Sequence, residues 1–276
     1  MKTDALAAIG AHPLDEYLRT DRLPHIWCPG CGLGTVLGAI LRAINRTGLD
    51  LDRTVIISGI GCTGRAAGYV KMDSFHVTHG RALPFATGLK LANPDLKIIV
   101  FSGDGDLAAI GGNHLIHAAR RNADMTVICV NNFIYGMTGG QLGPTTPEMG
   151  RTTTSRSGNI EKPFNIPRLV GAAGAQYVAR WTTAHVWQME RAFIEAIDRK
   201  GFSFIEVISP CPTYFGRMNE MATGLDQMRY YRYNSVVKHG ANLDEVDIAL
   251  NSPIIVGKFI DAKKLYLPVQ GAAHGK

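Results

Sequence analysis

With 276 residues and 46% hydrophobic content, the chain can bury a sizeable core and fits one large α/β domain with appendages. Its net charge of +6 is spread out with no Lys/Arg block, which excludes nucleic acid as the natural partner and fits a solvated surface facing acidic proteins or anionic ligands. No run reaches the ~18 apolar residues of a membrane span, Asp4 interrupts what a secretory leader needs, and five cysteines without a leader point to a reducing, cytoplasmic setting.

Residues 1–24, polar and carrying Pro13 and Pro24, read as an irregular arm. Trp27-Cys28-Pro29-Gly30-Cys31-Gly32 is a turn that opens a helix over 33–45. Residues 54–58 form a buried strand ending in Gly59-Ile60-Gly61-Cys62-Thr63-Gly64-Arg65. A helix over 81–91 is entered through Thr78-His79-Gly80 and stopped near Pro94. Residues 97–101 are apolar and β-branched, as in a strand buried on both faces. That strand ends in Gly103-Asp104-Gly105, where glycines let backbone approach a ligand and leave a carboxylate at the strand's C-terminal edge. Helical spacing follows over 110–121, then a second buried strand over 125–130 ending in Asn131-Asn132.

Residues 139–168 are rich in Gly, Thr, Ser and Pro and read as a long functional loop. A strand over 175–179, a helix over 184–199 and a strand over 202–209 complete the alternation, the last ending in Pro210-Cys211-Pro212-Thr213. The pattern weakens from Tyr214, and residues from about 217 to 276 read as a tail with Tyr230, Tyr231 and Tyr233 among Arg and Asn. Alternating strands and helices predict a doubly wound, mostly parallel sheet. Cys62, Asp104, Asn132 and Cys211 all follow strand C-terminal ends, so they share the rim where ligands sit in such folds.

A carboxylate and an amide oxygen at adjacent strand ends suit a hard cation such as Mg²⁺, which takes one or two protein oxygens and completes its shell with phosphate and water. The pattern of GDG, 25 residues and NN resembles the thiamine diphosphate signature. That resemblance implies Mg²⁺ held by Asp104, Asn132 and the main-chain carbonyl of Ile134. Of the five cysteines, Cys129 lies in an apolar strand and reads as a small buried hydrophobe. The CxxC of Cys28 and Cys31, with single Cys62 and Cys211, makes a Cys₄ set suited to a [4Fe–4S] cluster or a structural zinc. Zinc ribbons usually bring a second close pair, which is missing, and a disulfide conflicts with a reducing compartment.

The segments WCPGCG, GIGCTGR, THGRALPFATGLKLANP, FSGDGD, VNN and YGMTGGQ, in this order and spacing, resemble the β subunit of the 2-oxoacid:ferredoxin oxidoreductases, most closely the 2-oxoglutarate type. The resemblance covers about residues 27–213. It implies the diphosphate-binding half of a thiamine diphosphate site and one [4Fe–4S] cluster on Cys28, Cys31, Cys62 and Cys211. It also implies cofactor contacts from Ile60, Gly61, Cys62 and His79, with Gly103, Gly105, Asp106 and Thr138 near the diphosphate. The implied activity is oxidative decarboxylation of 2-oxoglutarate to succinyl-CoA and CO₂, with electrons passed to ferredoxin and coenzyme A as co-substrate, reversible as reductive carboxylation. The glutamate that activates thiamine has no second α/β half here to house it, and in the family it comes from an α subunit. An αβ, or (αβ)₂, assembly is therefore implied.

Arg65, three residues past Cys62, is expected to point into the site, where its guanidinium suits the distal carboxylate of 2-oxoglutarate; balancing cluster charge or contacting the partner is the plainer role. Met137 reads as an apolar wall of the substrate pocket or as ordinary packing. His79 favours cofactor proximity over capping, whereas His76, His114 and His117 read as surface or packing residues. Three alternatives stay open: the same enzyme acting on pyruvate or another 2-oxoacid, a non-redox thiamine enzyme, and an iron–sulfur electron-transfer subunit without thiamine chemistry.

Overall fold

The computed structural model describes residues 12–262. Helix α1 (Leu33–Thr47) carries Leu33, Val36, Leu37, Ile40, Leu41 and Ile44 on one buried face, the spacing of an amphipathic helix, and ends at Gly48 in the left-handed conformation. Strands β1 (Thr54–Ser58) and β2 (Asp73–His76) follow, joined through a short 3₁₀ helix at Thr63–Gly68. Helix α2 (Ala82–Ala92) leads to β3 (Lys97–Gly103), a one-turn π-helix at Gly105–Ile110 and α3 (Gly112–Arg120). Strand β4 (Met125–Asn131) runs into the small hairpin β5 (Ile134–Tyr135) and β6 (Gln141–Leu142). Then come α4 (Ile166–Ala172), β7 (Tyr177–Thr182), α5 (Val186–Asp198), β8 (Phe202–Ile208), α6 (Gly224–Asn234), β9 (Ser235–Val237) and β10 (Ile254–Asp261).

The main sheet has the order β2-β1-β3-β4-β8-β7-β10-β9. The run from β2 to β7 is parallel, β10 joins β7 antiparallel, and β9 pairs parallel with β10. Alternate residues of each strand feed two cores. Ile99, Phe101, Ile128, Val130, Ile205 and Val207 pack with α1 and α5, whereas Val100, Val127, Cys129 and Phe204 pack with α2, α3 and α4. The expected doubly wound, mostly parallel sheet is present, and Cys129 is a buried core residue.

The connection leaving β1 runs to β2 on one side, whereas the connection leaving its neighbour β3 runs to β4 on the other. That topological switch opens a crevice at the strands' C-terminal ends.

The sequence pattern missed β2, whose residues are mostly exposed, and it undervalued residues beyond 217. There a capping box between Thr223 and Asp226 starts α6, and β10 extends the sheet. Part of the expected arm is also built in: Leu14 and Tyr17 are buried and Leu18 bridges to Val70. Residues 1–11 of the arm and 263–276 of the tail lie outside the described residues. No helix among the described residues is long and apolar enough to cross a membrane.

Candidate active site

The loops after β1, β2, β3 and β4 enclose one cavity. Ile60, Gly61, Cys62, His79, Gly103, Asp104, Gly105, Asp106, Asn132, Ile134, Met137 and Thr138 all line it. Thr63, Tyr135 and Gly136 line it as well, three residues the motif reading did not single out. Gly61 has a φ of +117° and open space where a Cβ would stand, so its backbone borders the cavity bare.

Asp106 ties three of these loops together. Its buried carboxylate accepts from Nδ1 of His79 at 2.5 Å, from the amides of Gly80 at 2.8 Å and Ile60 at 3.1 Å, and from the Ser102 hydroxyl at 2.8 Å. A side chain on Gly59 would collide with this carboxylate, which explains the glycine. With four donors, Asp106 is saturated; it orients His79 rather than offering a hydrogen bond of its own.

Asp104 differs. It is buried beside the Thr145 hydroxyl, without a cationic side chain against it among the described residues, and burial above all pushes its acid up to about 7. The amide of Gly105 donates back to it. Gly105 is required by space: a Cβ there would enter the ring of Tyr135.

After β4 the chain turns sharply. Phe133 sits at φ +67°, a costly conformation for a bulky residue. Asn131 holds the turn by accepting the Phe133 amide at 3.0 Å, and Asn132 accepts the Ile134 amide at 3.3 Å. The hairpin β5–β6 then returns through Gly139 and Gly140, both at positive φ, bringing Met137 and Thr138 to the rim. The Thr138 hydroxyl is spent on Gln141 at 2.7 Å.

Cys28, Cys31, Cys62 and Cys211 line a second cavity together with Asn132, Gly136 and Met137. They come from three anchored loops, Cys28 and Cys31 sharing one. Cys31 donates its amide to the Cys28 carbonyl at 3.0 Å, the Trp27 indole donates to the Cys62 carbonyl at 2.7 Å, and the Cys211 amide donates to Gln227 at 2.9 Å. All are free thiols. Burial, followed by the charges of the neighbouring cysteines, pushes Cys31 up to about 12 and Cys62 up to about 11. Among the described residues no three His, Cys, Asp or Glu side chains are gathered tightly enough to hold one metal ion. The four thiols nevertheless line one cavity, as the sequence leads one to expect of a shared Cys₄ set.

Arg65 is also corrected in position. It lines neither cavity. The 3₁₀ helix buries Thr63, Gly64, Ala66 and Ala67 and leaves Arg65 exposed, close enough to His76 to lower that imidazole's affinity for a proton, though burial contributes more. With three residues per turn it stands one turn beyond Cys62 on the same side, at the outer rim.

Residues 59–207 match the family model described as the C-terminal thiamine pyrophosphate (TPP) binding domain of thiamine pyrophosphate enzymes. The 2-oxoglutarate synthase subunit KorB of Methanothermobacter marburgensis is 52% identical over 92% of this chain and 88% of its own length. KorB of Methanocaldococcus jannaschii is 51% identical over 92% of this chain and 93% of its own. Among solved structures, a 2-oxoglutarate:ferredoxin oxidoreductase from Magnetococcus marinus, with 2-oxoglutarate, coenzyme A and succinyl-CoA bound, superposes with a TM-score of 0.82 at 30% identity, covering 95% of this chain and 89% of that one. A thiamine-binding fold with its rim cavity intact, matched by such relatives along nearly its whole length, places the chain in the β-subunit family of the 2-oxoacid:ferredoxin oxidoreductases, a family of oxidoreductase enzymes.

Proposed function

We propose that this chain is the β subunit of a 2-oxoglutarate:ferredoxin oxidoreductase, converting 2-oxoglutarate and coenzyme A to succinyl-CoA and CO₂, passing electrons to ferredoxin, and running in reverse as a reductive carboxylation. One observation carries the reading. Cys62, Asn132, Gly136 and Met137 line both the cavity after the strands and the four-cysteine cavity, so the two share a wall. When bound, thiamine diphosphate would supply the electron sink for decarboxylation and a [4Fe–4S] cluster a one-electron exit.

The residues present suit those groups. Asp104 is a buried acid with no cationic partner among the described residues, and with the amide oxygen of Asn132 and the carbonyl of Ile134 it would hold Mg²⁺ against the diphosphate. Four thiols lining one cavity would supply the four ligands of a cluster, one cysteine per iron. The Asp106 carboxylate keeps a proton on Nδ1 of His79, so Nε2 donates to an anion only as imidazolium.

Met137, half exposed on the shared wall, would pack against the substrate's methylenes. Arg65 at the rim would meet the distal carboxylate only once a partner closes over it. The carboxylates lining the cavity are Asp104 and Asp106, and both are engaged, which supports an α subunit as the source of the activating glutamate. Exposed Ile26, Ile60, Met137, Met149 and Ile160 give that partner apolar surface.

The test is an anaerobic preparation with the α partner, its iron and sulfide content, and its visible absorption on adding 2-oxoacid and coenzyme A. Bleaching with 2-oxoglutarate is expected. Bleaching with pyruvate alone would discard the role of Arg65, and a colourless protein would sink the redox reading.

A further inference from the structure

Arg180 and Glu206 form an ion pair in the interior of the sheet, away from the rim. They are cross-strand neighbours on β7 and β8, each 1% exposed, and Nε of Arg180 donates to Oε2 of Glu206 at 2.5 Å. A buried pair of this kind is weak evidence for stability, and its geometry points elsewhere. The other oxygen of Glu206 accepts from Nδ2 of Asn131, on the next strand, at 2.8 Å.

An ionised carboxylate can only accept. Asn131 must therefore turn its NH₂ to Glu206 and its oxygen to the far side. There the oxygen accepts the Phe133 amide at 3.0 Å and meets the Thr145 hydroxyl at 2.9 Å. Phe133 is the residue at φ +67°, and Asn132 and Ile134 flank it on the cavity wall.

We infer that Glu206, fixed by Arg180, is a positioning residue for the magnesium- and diphosphate-binding turn. It sets which way the Asn131 amide faces, and Asn131 in turn holds Phe133 in the left-handed conformation that presents Asn132 and Ile134 to the cavity. This rests on reading Asp104, Asn132 and Ile134 as the magnesium ligands.

Glu206→Gln keeps the shape and tests the polarity. Arg180 only donates, so the substituted amide keeps its oxygen on Arg180 and turns its NH₂ toward Asn131. Asn131 must then flip, and its own NH₂ meets the Phe133 amide, donor against donor. In the complex with the α partner, the Mg²⁺ concentration that half-saturates thiamine diphosphate retention should rise about tenfold or more.

Adding Asn131→Asp restores acceptors on both sides at the same buried net charge, and retention should return to within about threefold of the unsubstituted complex, a coupling that independent contributions to stability would not give. Unchanged retention in Glu206→Gln overturns the inference. So does a double variant that stays weak or fails to assemble; if Glu206→Gln alone does not assemble, the double variant decides. Asp104→Ala separates the two levels. Retention surviving there sinks the magnesium assignment itself, whereas loss there with none at Glu206→Gln sinks only the positioning role.

Discussion

The Thr145 hydroxyl lies between the carboxylate of Asp104 and the amide oxygen of Asn131, with one proton for two acceptors. If Asp104 is ionised, one of the two contacts sets lone pairs against each other. If it is protonated, Asp104 donates to Thr145 and Thr145 donates to Asn131, and every contact is satisfied. Burial, which pushes the acid up to about 7, favours the second arrangement in the ligand-free chain. Mg²⁺ would reverse it.

Cation binding should therefore release a proton below neutral pH. Mg²⁺ affinity is expected to climb as pH rises toward 7 and to level off above it. Calorimetric titration in buffers of different ionisation enthalpy checks this, and a buffer-independent heat at pH 6 would contradict it.

The same acid carries a stability cost. Its folded value of about 7 lies well above the ordinary aspartate value of about 4, so the folded chain binds more protons between those limits. The contribution is fully favourable below about pH 4 and is lost as pH rises through 7. Asp104→Asn should thus stabilise the ligand-free protein at pH 8, by on the order of 2–4 kcal/mol, while abolishing Mg²⁺-dependent cofactor retention. Chemical denaturation at pH 5 and pH 8 checks it; an equal effect at both pH values would contradict the assignment.

Gly105→Ala places a methyl group in the ring of Tyr135, which lines the cavity. The expected cost is about 1–3 kcal/mol, with weakened thiamine diphosphate retention. Adding Tyr135→Ala should recover part of the stability, because it removes the obstacle.

The cysteines should separate cleanly by place. Cys62→Ser is expected to lose iron and colour, whereas Cys129→Ser should keep both and lose about 1–3 kcal/mol from burying a hydroxyl in an apolar core. Iron analysis beside thermal denaturation of each variant is the check.

The rim was legible because its chemistry sits in glycine-rich segments directly after apolar strands. Asp104, Asn132, Cys62 and Cys211 each interrupt a pattern at the place where backbone leaves the sheet. Thr145 was not legible, because a threonine in a long polar loop gains its meaning only when the loop folds back 41 residues to Asp104. Arg180 falls one residue past the strand expected over 175–179 and Glu206 lies inside the one expected over 202–209, and only pairing of β4, β7 and β8 makes their charges neighbours. Strand β2 was hidden because an exposed edge has no apolar rhythm. The direction of Arg65 turned on a helix too short to carry a periodic signal.

The grip of Asp106 on the amides of Ile60 and Gly80 has a dynamic consequence. Neither loop can swing outward without surrendering a bond to a carboxylate that the other also uses. These two amides should therefore exchange hydrogen for deuterium as one cooperative unit, at a common rate set by the release of a single side chain, although 20 residues separate them in the chain.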